Sequence, residues 1–173
     1  MHYEFRKAET KDVNNIWDVL QQAIARRKED GSRQWQDGYP NPEVVQSDID
    51  KQAGFMLCDA DTVIGYCAVF VNDEPAYEKI DGKWLTNGDF VAVHRVAVSD
   101  QYTGKGLAKI ILRFVEEYAM SMQIVSIKAD TNFDNPAMMK TFEKLGYSYC
   151  GEVYFRGGAR RAYEKVLKPN FNL

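Results

Sequence analysis

The sequence holds no apolar run long enough to cross a bilayer. Its longest, Val63 to Val71, is interrupted by Gly65 and falls far short of the roughly 20 residues a spanning helix needs. The opening residues Met1-His2-Tyr3-Glu4 lack a leader pattern, so a cytoplasmic protein with no membrane partner is expected. An excess of positive charge is missing too. Lys and Arg number 22 against 25 Asp and Glu, for a net charge of −3, which argues against nucleic acid as a partner. Cysteine is scarce: Cys58, Cys67 and Cys150 form an odd set without C-x-x-C spacing, each among apolar residues of an expected strand. They read as free, buried side chains. A nucleophilic cysteine partnered by His94 has no support in the spacing, and no metal site is expected. No repeat and no low-complexity stretch is present. With 45% apolar and 27% charged residues, the chain reads as one globular domain over residues 1–173.

The most informative stretch present is an apolar β-rich segment, Val91 to Val98, followed by Ser99-Asp100-Gln101-Tyr102-Thr103-Gly104-Lys105-Gly106-Leu107-Ala108 and a long amphipathic run to Met122. Strand, glycine turn, helix is the pattern. Glycines allow a ligand to approach the backbone, and the helix that follows begins with N–H groups lacking intrahelical acceptors. With the positive end of the helix dipole, those groups suit a phosphate.

In chain order, Tyr3–Ala8 reads as a strand and Thr10 to Gly31 as a helix, with Val13, Ile16, Trp17, Leu20, Ala23 and Ile24 at helical spacing. Arg26-Arg27-Lys28 fall in its last turn, where cations suit the dipole. A loop rich in Gly and Pro carries Trp35 and Tyr39, and a short helix runs from Pro42 to Lys51. Two strands, Gly54–Cys58 and Thr62–Val71, form a hairpin through Asp59-Ala60-Asp61. Asn72 to Gly88 is polar, has Asp81-Gly82 as a hairpin signal, and reads as a surface excursion holding Glu74, Tyr77 and Trp84. The glycine-turn helix is expected from about Thr103 to Met122, and its partner strand from Ile124 to Asp130 gives a parallel β-α-β unit. Asn135 caps a further helix with Pro136 in its first turn. Gly146 ends that helix. Tyr147–Phe155 and Arg161–Leu167 close the chain as a hairpin through Arg156-Gly157-Gly158.

Three phosphate ligands compete for the glycine turn. A nucleotide P-loop needs Gly-Lys-Ser/Thr after a wider glycine spacing, which is absent. A dinucleotide site needs a third glycine where Lys109 stands, and more parallel strands than this chain offers. The third is acyl-CoA. Gln101-x-x-Gly104-x-Gly106-x-Ala108, then Asn135-Pro136-Ala137, then Phe142-Glu143-Lys144-Leu145-Gly146-Tyr147 together resemble the GNAT superfamily of N-acyltransferases. The resemblance runs through the whole element order and is most specific from Val96 to Tyr147. It implies an α/β fold: a mixed, mostly antiparallel central sheet of about seven strands, flanked by about four helices, with one parallel β-α-β unit. It also implies that the fourth and fifth strands splay and acetyl-CoA enters between them as co-substrate. By that resemblance Val96, Ala97 and Val98 pair with the pantetheine, Gln101, Tyr102, Thr103, Gly104, Lys105, Gly106, Leu107 and Ala108 hold the pyrophosphate, and Asn132 and Asn135 lie along the same arm.

The activity implied is direct acetyl transfer to a primary amine of a small molecule or peptide. Such transfer needs a base for the amine and a proton for the departing thiolate. Relatives often use a carboxylate on the fourth strand and a tyrosine in the last helix motif. Here simple alternation puts Phe90, Ala92, His94, Val96 and Val98 on one face, so His94 is the candidate base, and an ordinary imidazole titrates near neutrality. Phe142 stands at the tyrosine position, leaving Tyr77 and Tyr147 as weaker acid candidates. Trp35, Tyr39, Glu74 and Trp84 are the candidate acceptor-binding residues. A non-catalytic acyl-CoA sensor is the alternative. The hairpin at Arg156 to Arg161 is a candidate homodimer surface.

Overall fold

The computed structural model describes residues 2–156 and 158–169. Its strands form one eight-stranded sheet in the order β1-β2-β3-β5-β6-β8-β7-β4. They are β1 (Tyr3–Lys7), β2 (Gly54–Asp59), β3 (Thr62–Val71), β4 (Asp81–Gly82), β5 (Phe90–Val98), β6 (Ser126–Thr131), β7 (Ser148–Phe155) and β8 (Gly158–Val166). The helices are α1 (Val13–Glu29), α2 (Pro42–Asp50), α3 (Leu107–Ser121) and α4 (Pro136–Lys144). The β1–β2, β2–β3, β6–β8, β7–β8 and β4–β7 pairs are antiparallel, while β5 and β6 run parallel. The mixed, mostly antiparallel sheet and four helices are those expected. The eighth strand is new: Asp81-Gly82 pairs with Glu152 and Gly151 instead of turning a hairpin of its own.

Helix starts follow local chemistry. Thr10–Asp12 form a 3-10 turn, with Asp12 Oδ2 accepting from the Glu9 N–H at 2.8 Å, and regular α-helix begins only at Val13. Asn41 caps α2 by accepting from the Val44 N–H at 2.9 Å, with Pro42 in the first turn. The glycine-turn helix also starts later than its periodicity suggests. Asp100–Tyr102 form a separate 3-10 turn, and α3 opens at Leu107, after both glycines.

The chain divides into two compact units. The first comprises Met1–Val69 with His94–Phe114. Its core gathers Ile16, Val19, Leu20 and Ala23 of α1, Val45 of α2, Met56 and Cys58 of β2, Tyr66 of β3 and Ala97 of β5. Gly65 of β3 is required there, because a Cβ would lie 2.8 Å from the Ile111 Cδ1 of α3. The second unit comprises Phe70–Val93 with Val115–Leu173. It gathers Tyr77, Trp84, Ala92, Cys150, Val153 and Ala162.

Two expectations change here. Residues 72–88 do not lie wholly on the surface: Tyr77 is 2% and Trp84 9% exposed, so this polar stretch buries its two largest rings. Simple alternation along β5 also fails. Arg95 has φ +55°, a left-handed conformation in the middle of the strand, so the two-residue period running through Ala92 and His94 stops before Val96 and Val98. The three cysteines are free and buried. Burial pushes the Cys67 thiol well above its ordinary value, and Cys58 and Cys150 rise for the same first reason. In the hairpin proposed as a dimer surface, Gly157 lies outside the described residues. No helix among the described residues is long and apolar enough to cross a membrane.

Candidate functional site

In the first unit the glycine turn is an exposed connection between two anchors. At its start, the Ser99 N–H donates to the Ile64 carbonyl at 2.8 Å, and at its end Leu107 is buried. Gly104 and Gly106 take φ +79° and +72°, and nothing lies within 4 Å of where a Cβ would stand on either. Left-handed backbone is costly for other residues but not for glycine, so the turn is both shaped and left bare by these two positions. The α3 ladder begins with the Ile110 N–H donating to the Gly106 carbonyl at 3.1 Å, so the N–H groups of Leu107, Ala108 and Lys109 precede the first intrahelical acceptor. Lys105 places its ammonium 4.8 Å from the Tyr102 ring centre, and Tyr102 donates its hydroxyl to Asp59 at 2.7 Å.

The turn is buttressed from α1. Arg26 donates to Thr103 Oγ1 at 3.0 Å and to the Val98 carbonyl, and its Nε lies 3.0 Å from Asp100 Oδ1. Gln22 Oε1 accepts from the Asp100 N–H at 2.8 Å. Arg26 thus does more than answer the helix dipole, and its position beside Arg27 and Lys28 carries no sequence signal of that reach.

A second cluster surrounds Arg95. Its guanidinium donates to both oxygens of Asp48, from Nε at 2.9 Å and from Nη2, and its Nη1 donates to the Tyr39 hydroxyl. Tyr66 donates to the same carboxylate at 2.6 Å. The side chains of Arg95 and Asp48 are 10% and 4% exposed. Burial is the largest single influence and opposes the Arg95 charge, but Asp48, Tyr39 and Tyr66 together more than offset it, so the pKa is raised and the group stays protonated. Burial, then Asp48, pushes the Tyr66 hydroxyl far above the usual tyrosine range. One signal for this cluster exists in the sequence: Asp48 falls three residues after Val45 and beside Ile49, on the apolar stripe of α2. Of the acceptor-side candidates, Tyr39 belongs to this cluster, while Trp35 packs on the first unit's core with Arg27 over its ring at 5.4 Å. His94, next to Arg95, is half-buried.

In the second unit the candidates fall into three places. Tyr77 and Trp84 touch, with ring centres 5.0 Å apart and Trp84 Nε1 donating to the Tyr77 carbonyl at 2.8 Å. The Tyr77 hydroxyl donates to Asp130 at 2.6 Å. Burial, then Asp130, pushes its pKa well up. Glu74 accepts from the Ala76 N–H at 3.3 Å and so begins the 3-10 turn that carries Tyr77. Asn132 and Asn135 act locally: Asn132 donates to Asp134 at 2.6 Å, and Asn135 caps α4 by accepting from the Met138 N–H at 3.2 Å. Tyr147 packs on Phe142, with ring centres 5.1 Å apart. Its hydroxyl is buried without a hydrogen-bond partner among the described residues, and burial raises its pKa.

Missed entirely by sequence reading is the Glu164 hub. This fully buried carboxylate of β8 accepts from the Leu85 N–H at 2.8 Å, from the Thr86 hydroxyl at 2.5 Å and from the Ser126 hydroxyl at 2.8 Å. Its neighbour across the ladder, Lys128, holds its ammonium 4.6 Å from the Trp84 ring centre and 4.3 Å from that of Phe90.

The model of the acetyltransferase (GNAT) family matches residues 17–147, well over half of the chain. The chain belongs to the GNAT acetyltransferase family. This GNAT protein is 32% identical to a GNAT-family acetyltransferase of known crystal structure from Streptococcus agalactiae, with a TM-score of 0.89 and 96% of each chain covered. A streptothricin acetyltransferase from Escherichia coli is 27% identical over 66 residues, and an N-acetylaspartate synthetase from Xenopus tropicalis is 38% identical over 63 residues. These matches take in 38% and 36% of this GNAT chain, and span only 38% and 23% of those two relatives' lengths.

Proposed function

We propose that this chain is an acetyl-CoA-dependent N-acetyltransferase that transfers the acetyl group directly to a primary amine of a small molecule or peptide. The observation that carries the reading is the Gly104–Gly106 turn: two left-handed glycines, open on the side where a Cβ would stand, leading into the start of α3, where the opening N–H groups of any helix lack intrahelical acceptors. That donor set fits a pyrophosphate, since successive backbone N–H groups and a helix N-terminus accept anionic oxygen without a dedicated side chain. Gln101 through Ala108 would hold the pyrophosphate, with Lys105 as a cationic supplement, and the backbone of Val96 to Val98 would pair with the pantetheine amides. Asn132 and Asn135 are proposed along the same arm through their backbone surroundings, because their side chains are engaged in local hydrogen bonds. Acetyl-CoA supplies the activated thioester.

His94 is the proposed base that takes the proton from the acceptor ammonium. Tyr77 and Tyr147 suit hydrogen-bond donation better than proton release, since burial raises both above the usual tyrosine range, away from the operating pH at which an acid is efficient. The thiolate then leaves without an acid of the family's usual kind. Streptothricin and aspartate, named with the relatives, support a small-molecule amine as acceptor, with Trp35, Tyr39, Glu74 and Trp84 as proposed contributors. The free cysteines suit a reducing compartment, and the cytoplasm is the proposed location.

A sensor that binds acyl-CoA without turnover is the second reading, favoured by Phe142. It is 2% exposed and packed between the rings of Tyr147 and Tyr163, so no phenol occupies that position. Incubation with acetyl-CoA and a panel of primary amines, followed by free-thiol release, separates the two. Thiol release with at least one amine is expected. Tight acetyl-CoA binding with no release across the panel leaves the sensor. In an active preparation, His94→Ala lowers turnover near pH 7 by tens of fold with acetyl-CoA affinity little changed, and an unaltered pH–rate profile removes His94 from the mechanism.

A further inference from the structure

We propose that Arg95 is a positioning residue that ties the loop carrying Trp35 and Tyr39 to the strand segment Val96–Val98, so that order in one requires order in the other. Naming the two ends as acceptor side and acyl-donor side rests on the acetyltransferase reading; the tie itself does not.

Arg95 holds φ +55° in the middle of β5. A non-glycine residue in that region is strained and persists only where its surroundings over-determine it. Here all three guanidinium nitrogens have acceptors. Nε and Nη2 meet the two oxygens of Asp48 on α2, and Nη1 meets the Tyr39 hydroxyl. Asp48 is itself fixed by the Tyr66 hydroxyl of β3 at 2.6 Å. The planar fork matters, because it meets both carboxylate oxygens in one plane and turns a third nitrogen to the phenol in fixed directions, a geometry that a rotating lysine ammonium does not impose. The Tyr39 ring adds a contact 5.9 Å from the guanidinium.

A second arginine pair works at the far end of the same segment. Arg26 of α1 donates to the Val98 carbonyl, and its neighbour Arg27 stacks on Trp35 of the loop. Residues Val96–Val98 are therefore bracketed, by Arg95 at one end and Arg26 at the other. The loop is held at two matching points, Tyr39 by Arg95 and Trp35 by Arg27. A ligand that fixes the strand segment fixes the backbone on which Arg95 stands, and through it the loop. The acceptor side is thereby organised after the donor is seated.

Hydrogen exchange read by mass spectrometry tests this on the full chain. Without ligand, Tyr39→Phe removes one hydrogen bond and keeps the ring. It should quicken exchange in the peptide covering 31–41 and, together with it, in the peptide covering 93–99, each by several-fold to tens of fold. Quickening confined to the loop overturns the tie, whatever the protein binds. Coenzyme A supplies the second arm. In the unsubstituted protein it should slow exchange of both peptides. In Tyr39→Phe it should bind within a few-fold and slow only the strand peptide, a split that a general loss of stability would not produce. Equal slowing of the loop in Tyr39→Phe overturns the proposal. Failure of the unsubstituted protein to bind coenzyme A overturns the acetyltransferase reading instead, and the ligand-free arm still decides the tie.

Discussion

Asp48 in the first unit and Glu164 in the second are both buried carboxylates, at 3% and 0% exposure, yet they are neutralised in different ways. Asp48 faces a full positive charge, the Arg95 guanidinium, in a two-point contact. Glu164 faces neutral donors, two hydroxyls and the backbone of Leu85, while the nearby Lys128 ammonium rests on aromatic rings. A fork meeting a carboxylate fixes direction, which suits a residue held in left-handed backbone inside a strand. Dispersed neutral donors satisfy a stretch of chain with few ladder partners, which suits residues 85–86 beyond the two-residue β4. The first arrangement aims a side chain, and the second pins a segment.

The largest expected effect follows from removing one member of the charged pair. Asp48→Ala leaves Arg95 buried and uncompensated, at a cost of about 3–5 kcal/mol in urea unfolding. Replacing both, as Asp48→Ala with Arg95→Leu, should recover part of that loss, since no bare charge remains. Glu164→Gln should cost less, about 1–3 kcal/mol, because the amide oxygen still accepts while its NH2 group faces donors. Equal losses for Asp48→Ala and Glu164→Gln would break the distinction between aiming and pinning.

Much of this was legible in the sequence. The β5 segment, the turn and α3 announce themselves by apolar periodicity and two glycines, and Asn135-Pro136 announces α4, because these are local choices of backbone and cap. Arg95 was not legible as a kink, since nothing in Val93-His94-Arg95-Val96 departs from ordinary strand composition and its conformation is imposed by Asp48 and Tyr39 from other elements. Trp84 and Tyr77 were misplaced for the complementary reason. Their neighbours are polar, and only the sheet face beneath them, with Glu164 and Asp130 as anchors, makes them core.

Alkaline unfolding compares the same two regions through their tyrosines. Burial, reinforced by Asp48 at Tyr66 and by Asp130 at Tyr77, raises both hydroxyls, and burial raises the Cys67 thiol. A raised folded-state pKa gives stability that is complete below the unfolded value, about 8.5 for cysteine and about 10 for tyrosine, and is lost as pH climbs toward the folded value. Urea midpoints should therefore fall above about pH 9. Tyr66→Phe should lower the baseline by about 1–2 kcal/mol and flatten the alkaline slope by up to about 1.4 kcal/mol per pH unit, with the Tyr77 contribution left in place.

The smallest effect is expected at Lys128, and it is the sharpest test of the contrast. Burial lowers its pKa, with Glu164 opposing the shift. For a cation this depression means that stability is greatest above the unfolded value near 10.4 and is lost as pH falls through the folded value, so at neutral pH the protein carries the cost of the buried charge. Lys128→Met removes that cost. It also removes the contacts with Trp84 and Phe90, a gain of similar size for a desolvated cation over two rings. The two should nearly cancel, leaving stability at pH 7 within about 1 kcal/mol of the parent. Glu164 keeps its neutral donors in this variant, so no bare carboxylate is created. A loss above about 3 kcal/mol would mean that Lys128 and Glu164 act as a charge pair of the Arg95–Asp48 kind, and the two units would then neutralise their carboxylates in the same way.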